Sequence, residues 1–212
     1  MTAALEVELK LRAEDEAPLW RLAAIERLAR CVLGPPREFS ELDRYLDTAD
    51  RRLGAARWAC RLRTRDGSVR VSLKGPAEHQ AGDDVHRRPE LEGPAAGDLD
   101  VSRWPPSAAR DHLLRLTGSR PLVELLVLRQ VRIEREVSAE RQLGVLSLDR
   151  VVVLAGGAER GRFLAVELEL AADAVDGPVA DAAFAELRAM DGLTPEPRSK
   201  LERALAMLSS QP

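Results

Sequence analysis

A closed sheet of eight antiparallel strands with helices packed outside it, an α+β barrel, is the fold that this 212-residue sequence predicts. About eight segments alternate apolar and charged residues, which gives each predicted strand one aliphatic face and most of them one densely charged face. Most connections between these segments are short, which favours antiparallel pairing. Helical segments lie between and after the strands and can cover the aliphatic side. If such a sheet closes, its charged faces point inward and line a tunnel.

The first strand is predicted over residues 5–12, "LEVELKLR". Four apolar residues alternate strictly with four charged ones, as on a strand with one buried face. The charged face begins with Glu6, Glu8 and Lys10 and includes no neutral polar residue. A strand face in contact with water usually mixes Ser, Thr or Gln with its charges. We therefore predict that this face lines the lumen of the barrel.

The next segments predict a helix, a strand and a hairpin. "EAPLWRLAAIERLARCVL" at 16–33 has apolar residues at helical spacing and is followed by the breaker "GPP". "ELDRYLDT" at 41–48 predicts a short strand. Residues 57–75 predict a hairpin around the turn signal "DG". The charged faces of its two arms carry Arg61, Arg63 and Arg65, then Arg70, Ser72 and Lys74.

The second half of the chain predicts three stronger strands and one weaker one. Residues 83–93 predict the weaker strand, since Pro89 suits an edge or a bulge, and 94–118 are turn-rich and then helical. The stronger strands, with their charged residues, are 121–137 (Arg129, Arg132, Glu134), 143–157 (Asp149) and 161–171 (Glu167, Glu169). Two helices at about 178–209 close the chain and are predicted to pack on the barrel.

Composition excludes several classes of protein. A net charge of −3 and a pI of about 5.8 argue against a general nucleic-acid binder. No apolar stretch approaches the roughly 20 residues of a membrane span, and the early charges do not resemble a secretion signal. Cys31 and Cys60 match no metal-ligand spacing and do not imply a disulfide. The expectation is one cytoplasmic domain over residues 1–212, a monomer or homodimer without nucleic-acid or membrane partners.

Lysine usage is the sharpest compositional signal. Only three of the 32 basic residues are lysines: Lys10, Lys74 and Lys200. An ammonium is a compact point charge, whereas a guanidinium is a planar fork. One interpretation is that these three positions require the compact ammonium. The alternative is that codon bias favours arginine and that these three lysines are chance survivors.

These residues together resemble the CYTH superfamily, the triphosphate tunnel metalloenzymes. The resemblance spans nearly the whole chain in order, and all three lysines fall on positions where that family uses lysine. The matching residues are Glu6-x-Glu8-x-Lys10, Tyr45–Thr48 ("YLDT"), Arg61-x-Arg63, Lys74, Arg129, Asp149, Glu167-x-Glu169 and Ser199-Lys200.

The resemblance implies an eight-stranded antiparallel barrel whose lumen binds a triphosphate and divalent metal. Members of that family include thiamine triphosphatases, inorganic tripolyphosphatases, class IV adenylate cyclases and messenger-RNA capping triphosphatases. Many bacterial members carry a histidine-rich CHAD domain after the barrel. This sequence, with three histidines, resembles a member without one.

Carboxylate oxygens are the ligands that Mg²⁺ and Mn²⁺ prefer, and the resemblance implies one or two such ions. Two Glu at positions i and i+2 lie on one strand face and can share a metal. The predicted metal ligands are Glu6, Glu8, Asp149, Glu167 and Glu169. The alternative is that these carboxylates only neutralise neighbouring arginines.

The predicted phosphate-binding cations are Lys10, Arg61, Arg63, Lys74, Arg129 and Lys200. Arginine offers paired donors to phosphate oxygens, and lysine offers a movable point charge. Six cations against five carboxylates give the predicted lumen a net charge of +1, which bound divalent ions would raise. The residues assigned to catalysis are Glu6, Glu8, Lys10 and Lys200. Arg12, Arg65 and Arg70 are predicted near the rim, in contact with solvent.

Three functions remain open from sequence. The first is a metal-dependent triphosphatase acting on inorganic tripolyphosphate or an organic triphosphate such as thiamine triphosphate. The second is a class IV adenylate cyclase, although no adenine-binding residues are evident, and the third is a polyphosphate-binding module without turnover. The roles of Arg87, Arg88, Glu90, Glu92 and Trp58 are left open. Lys200 is predicted to reach one tunnel mouth from its helix and to contact the triphosphate.

Overall fold

The computed structural model describes residues 4–77, 85–118, 120–175 and 177–209. In chain order the strands are β1 (Ala4–Ala13), β2 (Arg27–Leu28), β3 (Cys31–Leu33), β4 (Arg37–Thr48), β5 (Ala59–Arg65), β6 (Ser68–Lys74), β7 (Val85–Pro94), β8 (Leu122–Ser138), β9 (Gln142–Ala155), β10 (Ala158–Leu170) and β11 (Leu193–Pro195). The helices are α1 (Ala17–Ala24), α2 (Arg52–Ala55), α3 (Ala108–Thr117), α4 (Pro178–Arg188) and α5 (Lys200–Ser209).

Eight of these strands form a closed antiparallel barrel, which confirms the predicted fold. The order around the barrel is β8-β4-β5-β6-β7-β1-β10-β9, and β9 pairs with β8 to close it. The short strands β2 and β3 extend from β8, and β11 pairs with the end of β1. The alternating pattern therefore has one face inside the closed barrel and one face outside.

Strand β1 is held on both sides by strands that are distant in sequence. Its residues from Val7 to Ala13 pair with β10, and the opposite edge pairs first with β7 and then with β11. The amide of Glu196, just after β11, donates to the carbonyl of Lys10 at 3.0 Å. These pairings fix the charged face of β1 toward the inside.

Two groups of helices cover the aliphatic outer faces. α1 and α4 pack on the outer sides of β1, β9 and β10, where Leu9, Leu148 and Leu168 are essentially fully buried. α3 and the short helix α2 pack on the outer sides of β5 and β6, where Leu62 and Val71 are equally buried. The predicted helices outside the barrel are thus present, and each supplies the apolar partner that an aliphatic sheet face requires.

A third apolar cluster lies within the barrel at one end. Leu128, Val153 and Phe163 project from β8, β9 and β10 and pack with Ala204 of α5, which is fully buried. Leu201, Leu205 and Leu208 of the same helix complete this contact. The predicted apolar face of the last helix is therefore used to pack α5 against the barrel.

The predicted helix at 16–33 is much shorter in the structure. α1 ends at Ala24, because the backbone of Ile25 is extended, and the remaining apolar residues form β2 and β3. The Arg135 guanidinium accounts for the break: it donates to the carbonyls of Leu22 and Ala23 at 2.9 and 3.1 Å and also to that of Ile25. These carbonyls are at the end of α1, where no further turn supplies them with donors.

The motif "YLDT" has a structural role at the end of β4. Asp47 is buried and accepts from the amides of Thr48, Leu53 and Gly54 at 2.7, 2.9 and 3.1 Å. Asp47 thereby fixes the turn into α2, while Tyr45 contributes to the apolar cluster inside the barrel.

Cys31 and Cys60 are both buried free thiols. Burial raises the pKa of the Cys60 thiol to about 12. No helix within the described ranges is long and apolar enough to cross a membrane.

Candidate active site

The open half of the barrel interior is a polar cavity of about 460 Å³. Strand alternation places charged side chains of six strands, β1, β5, β6, β7, β8 and β10, around it, and most of the aliphatic residues between them point outward. A smaller cavity of about 40 Å³ lies deeper and is lined by Lys10, Arg61 and Lys200, among others. We call the two cavities together the lumen.

The first cluster in the lumen joins β1, β6 and β7. Arg88 donates to Glu6 at 2.6 Å and to Glu8 at 2.7 Å, and Lys74 also pairs with Glu6. Burial alone would raise the pKa of both glutamates, but the neighbouring cations lower each to about 2. Both carboxylates are therefore ionised at neutral pH.

Lys10 lies deeper on β1 and is almost fully buried. Its Nζ is 2.9 Å from Glu8, yet within the described chain it has no hydrogen bond of suitable geometry. The Nε of Arg61, which lines the same small cavity, also has no acceptor there. Burial lowers the pKa of Lys10, which Glu8 partly opposes. Two buried cationic donors thus face a common space without matched acceptors.

A second cluster joins β8, β9, β10 and α5. Arg132 forms a bidentate pair with Asp149 at 2.7 and 2.9 Å, and Lys200 donates to Asp149 at 2.7 Å and to Glu167 at 2.5 Å. Burial would raise the pKa of Asp149 and Glu167, but Arg132 and Lys200 outweigh it. The pKa of Glu167 falls to about 2. Lys200 reaches into the lumen from the first position of α5, and its position has little solvent contact.

A third cluster lies on β4 and β5. Asp43 is fully buried and accepts two bonds from Arg63, each of 2.7 Å, while Arg61 lies 3.5 Å away. Glu41 pairs with Arg63 at 3.1 Å and with Arg65 at 3.4 Å. Burial would raise the pKa of Asp43, but the nearby guanidiniums lower it to about 2. The β4 carboxylates hold the arginines of β5 in place from behind.

Glu169 differs from the other lumen carboxylates. It lies at the open mouth, on the same face of β10 as Glu167, and has no ion pair with any residue that the structure describes. Desolvation and the nearby charges of Glu6 and Glu8 raise its pKa to about 7, with Lys74 partly opposing. Desolvation also raises the pKa of Glu90, to which Glu6 adds. Negative charge is therefore in excess at the mouth.

The charged residues that line the two cavities are seven cations and seven carboxylates among the described residues. The cations are Lys10, Arg61, Arg63, Lys74, Arg88, Arg132 and Lys200, and the carboxylates are Glu6, Glu8, Glu90, Glu92, Glu134, Glu167 and Glu169. The predicted set had a net charge of +1, whereas this lining has a net charge of zero when all its members are ionised. Glu90, Glu92 and Glu134 were not among the predicted ligands, and Asp149, which pairs with Arg132, lines neither cavity.

Arg129 is the one predicted site residue that lies elsewhere. It is exposed on the outer side of β8, opposite Val152 of β9. The lumen position belongs to Arg132, whose cross-strand partner is Asp149. Side chains of a strand alternate between its faces, so residues three apart cannot both face inward. The other predicted site residues line the lumen or, in the case of Asp149, pair with a residue that does.

Sequence reasoning missed Arg132 as a lumen residue, missed Glu41 and Asp43 behind the β5 arginines, and left Arg88 open. A usable signal existed for Arg132, which has apolar neighbours on both sides, Val131 and Ile133, as expected for a charge facing inward. No such signal marks Asp43, because Arg44 beside it is also charged.

Trp58 lines a separate hollow of about 320 Å³ on the α5 side of the barrel, near Lys74 and Arg88. Its ring also contacts the His112 ring, with centroids 4.3 Å apart, and packs on the cluster under α3. Packing is therefore part of its role, and an aromatic surface remains beside this hollow.

The donor set of the lumen suits a hard divalent cation in chemical type, since Glu6, Glu8 and Glu169 offer carboxylate oxygens. The raised pKa of Glu169 marks a place where positive charge is lacking. In the described ranges, no group of three or more His, Cys, Asp or Glu is arranged to hold a metal. Arg88 and Lys74 account for this, because they bind the oxygens of Glu6 and Glu8.

Comparisons with known proteins agree with this fold. The family described as "CYTH domain" matches residues 4–205, nearly the whole chain. No curated protein matches the chain significantly.

Several solved structures share the fold. HpAC1 from Hippeastrum, provisionally named an adenylyl cyclase and described as having a dominant triphosphatase activity, is 20% identical, with 95% of each chain covered and a TM-score of 0.69. A protein from Bacillus halodurans provisionally named an adenylate cyclase is 19% identical, with 94% of this chain and 98% of that chain covered and a TM-score of 0.57. A Pyrococcus horikoshii protein is 22% identical, with 95% and 98% covered and a TM-score of 0.52.

Proposed function

The chain belongs to the CYTH domain family, and from this premise we propose that it is a divalent-metal-dependent triphosphatase. Its substrate in this proposal is inorganic tripolyphosphate or an organic triphosphate such as thiamine triphosphate, hydrolysed in the lumen. The reaction is phosphoryl transfer to water, for which positioning and charge stabilisation supply most of the catalysis.

The observation that carries the proposal is the inner end of the lumen. Lys10, Arg61 and Lys200 line one small cavity there, and the first two have buried donors without matched acceptors. A buried donor without a partner is costly, so its presence supports a ligand that supplies acceptors. Phosphate oxygens are strong acceptors for ammonium and guanidinium groups.

The remaining lumen cations would bind the rest of the phosphate chain. Arg63, Arg88 and Arg132 are each held by carboxylates on a neighbouring strand, so their guanidiniums are fixed before substrate arrives. Such preorganisation avoids the cost of ordering flexible arginines during binding. Lys74 is a point charge that can move from Glu6 to a phosphate oxygen.

Glu6, Glu8 and Glu169 are the carboxylates that would hold a divalent cation, with Asp149 and Glu167 as further candidates. When bound, Mg²⁺ or Mn²⁺ would offset phosphate charge and help to ionise the attacking water. The lumen has no excess of positive charge for a triphosphate, so an added cation is required for electrostatic balance. Glu6 and Glu8 are ionised at neutral pH and suited to this role.

A cyclase is the alternative suggested by the names of the Hippeastrum and Bacillus halodurans proteins. It would require a surface for adenine, and the described residues offer two aromatic rings near the lumen cations. Tyr45 lines the smaller cavity of the lumen, and Trp58 lines the hollow of about 320 Å³ beside Lys74 and Arg88. The Trp58 ring could contact the organic group of thiamine triphosphate, so its presence does not favour cyclisation.

Phosphate release from tripolyphosphate, thiamine triphosphate and ATP, each measured with Mg²⁺, Mn²⁺ or chelator, tests the proposal. A triphosphatase releases inorganic phosphate, and ATP gives ADP. Cyclic AMP and pyrophosphate as the main products would instead identify a cyclase. Tight tripolyphosphate binding without release under any metal would identify a binding module.

Lys200→Ala tests the inner end of the lumen. The variant should lower kcat/KM for the preferred triphosphate at least tenfold, about 1.4 kcal/mol. Arg198→Ala is the matched control, because Arg198 lies two residues earlier and is exposed outside the lumen. Equal kcat/KM in both variants would remove Lys200 from the proposed site.

A further inference from the structure

Outside the barrel, a cleft of about 510 Å³ lies between α5 and the ends of β1 and β10. Five arginines line it, and no carboxylate does: Arg12, Arg160, Arg162, Arg198 and Arg203. We call it the arginine cleft. None of the lumen residues lies in its wall, and its other described lining residues are small or apolar.

The arginine cleft keeps a positive excess after its neighbours are counted. Glu196 pairs with Arg198 at 2.9 Å and with Arg203 at 3.5 Å, and Glu159 pairs with Arg162 at 2.6 Å. With Arg160 left out of the count, two ion-paired carboxylates stand against the other four guanidiniums among the described residues, an excess of two positive charges. The whole chain has a net charge of −3, so this concentration runs against the overall balance.

Packing fixes the shape of this cleft. Arg12 Nε donates to Thr194 at 2.7 Å, and Arg203 donates to the carbonyl of Leu164 at 3.0 Å while lying 4.3 Å over the Phe163 ring. Burial lowers the pKa of Arg203, which Glu196 opposes and the nearby Arg198 and Arg12 reinforce. Like charges are therefore held together by the fold.

The arginine cleft continues into a second hollow of about 640 Å³, which Arg203 of α5 also lines. The two share Arg162 and Arg203, and the second adds Arg129 and Arg150. Arg129 has no hydrogen bond or ion pair with the described part of the chain. Glu14 and Glu16 also line this hollow, so it is closer to neutral. The positive surface is thus an extended track and does not converge on one point.

We propose that the arginine cleft binds inorganic polyphosphate as an extended chain on the outside of the barrel. Guanidiniums match phosphate oxygens with paired donors, and a row of them suits a repeating anion. Nucleic acid is less suited, because sequence-independent strand binding relies on exposed aromatic platforms. The ring beneath Arg203, Phe163, is buried, and the exposed Trp20 ring lies against Arg150, which lines the second hollow and not the arginine cleft. This binding does not depend on turnover in the lumen.

The test titrates polyphosphate that is too long to enter the lumen into the full chain and measures binding by calorimetry. A metal chelator is present throughout. The double variant Arg160→Ala/Arg162→Ala removes two exposed arginines of the arginine cleft. It should weaken polyphosphate binding at least tenfold and reduce the slope of log K against log salt by roughly 1.5. Tripolyphosphate hydrolysis with metal should stay within twofold of the parent, since neither residue lies in the lumen.

Arg103→Ala/Arg141→Ala is the matched control, because both arginines are exposed, pair with an aspartate and lie outside the cleft. This control should change polyphosphate affinity less than twofold. Equal weakening by both double variants, or no polyphosphate binding by the parent at low salt, would overturn the proposal. Tighter binding of oligouridylate or polyglutamate of matched charge would overturn the choice of polyphosphate. Binding of long polyphosphate together with no phosphate release from any triphosphate under Mg²⁺ or Mn²⁺ would leave this proposal standing and remove the proposed triphosphatase.

Discussion

The charged half and the apolar half of the barrel interior are built on the same three strands. Arg132, Asp149 and Glu167 meet in the charged half on β8, β9 and β10. Four residues farther along the same face of each strand, the apolar half carries Leu128, Val153 and Phe163. The first set surrounds an open cavity, whereas the second packs on α5 as a closed core.

This difference indicates how the fold supports its site. The apolar half buries α5 in the manner of an ordinary core, which fixes the helix that begins at Lys200. The Lys200 ammonium is consequently held between Asp149 and Glu167. Stability should depend on both halves, but ligand binding should depend on the charged half alone.

The largest effect is expected from Arg132→Met, which removes a cation from the charged half. Asp149 is fully buried, and the change leaves it with Lys200 as its only near cation among the described residues. Breaking a buried pair in this way costs about 3–5 kcal/mol of unfolding free energy. Arg129→Met on the exposed side of β8 should cost less than about 0.5 kcal/mol. Urea denaturation measures both, and similar losses would contradict the assignment of faces on β8.

Leu128→Ala tests the apolar half. Leu128 is fully buried, so its truncation should lower the free energy of unfolding by about 2–5 kcal/mol. The KM of the folded fraction for triphosphate should remain within twofold, because no lumen cation changes. Leu42→Ala, at a half-exposed position on β4, is the control. A large rise in KM without a stability loss would mean that the two halves are not separable.

Arg61→Ala should weaken triphosphate binding by about 1.5–3 kcal/mol, the value of a hydrogen bond to a charged group. The stability loss should be small, since Asp43 keeps both bonds from Arg63. Calorimetric titration measures the affinity, with Arg70→Ala at the exposed rim as control. Unchanged affinity in Arg61→Ala would exclude it from the phosphate-binding set.

The smallest effect concerns the mouth. Glu169 has a pKa of about 7 in the folded state against an ordinary 4.5, so the folded state favours its protonated form. Its contribution to stability is present below pH 4.5 and is lost as pH rises through 7. Glu169→Gln should therefore match the parent Tm at pH 4.5 and exceed it at pH 8. A Tm advantage at pH 4.5 that disappears at pH 8 would contradict this sign.

Much of the barrel could be predicted because alternation marks a strand with two different faces. Glu6, Glu8, Lys10, Glu167 and Glu169 stand among aliphatic neighbours, so their shared face is evident from sequence. The segment after Leu128 is harder, because its outer face is also polar. Arg129 is exposed there, and Arg135 is buried outside the barrel at the end of α1. Charge on both faces hides the alternation, so the sequence does not show whether Arg129 or Arg132 faces inward. The pairing of Arg132 with Asp149, which exists only in the folded barrel, settles this point.

The positions of Asp43 and Glu41 could not be predicted for a different reason. Asp43 and Glu41 pair with arginines of the neighbouring strand. The sequence of a single segment does not show which strand lies beside it. Lys200 shows the same limit, because helical spacing places it at the flank of α5 but does not reveal Asp149 opposite it. The residue types could be predicted, whereas their partners required the register of the barrel.

The pairing of β1 with β10 has a consequence for synthesis of the protein. Lys10 lies opposite Glu167, so β1, the first strand synthesised, cannot complete the barrel until β10, one of the last, has been made. Contacts of such large sequence separation slow folding and leave strand edges unpaired in the meantime. During that interval the edge of "LEVELKLR" that pairs with β10 stays unpaired, and an unpaired strand edge is a site of aggregation until residue 170 has emerged.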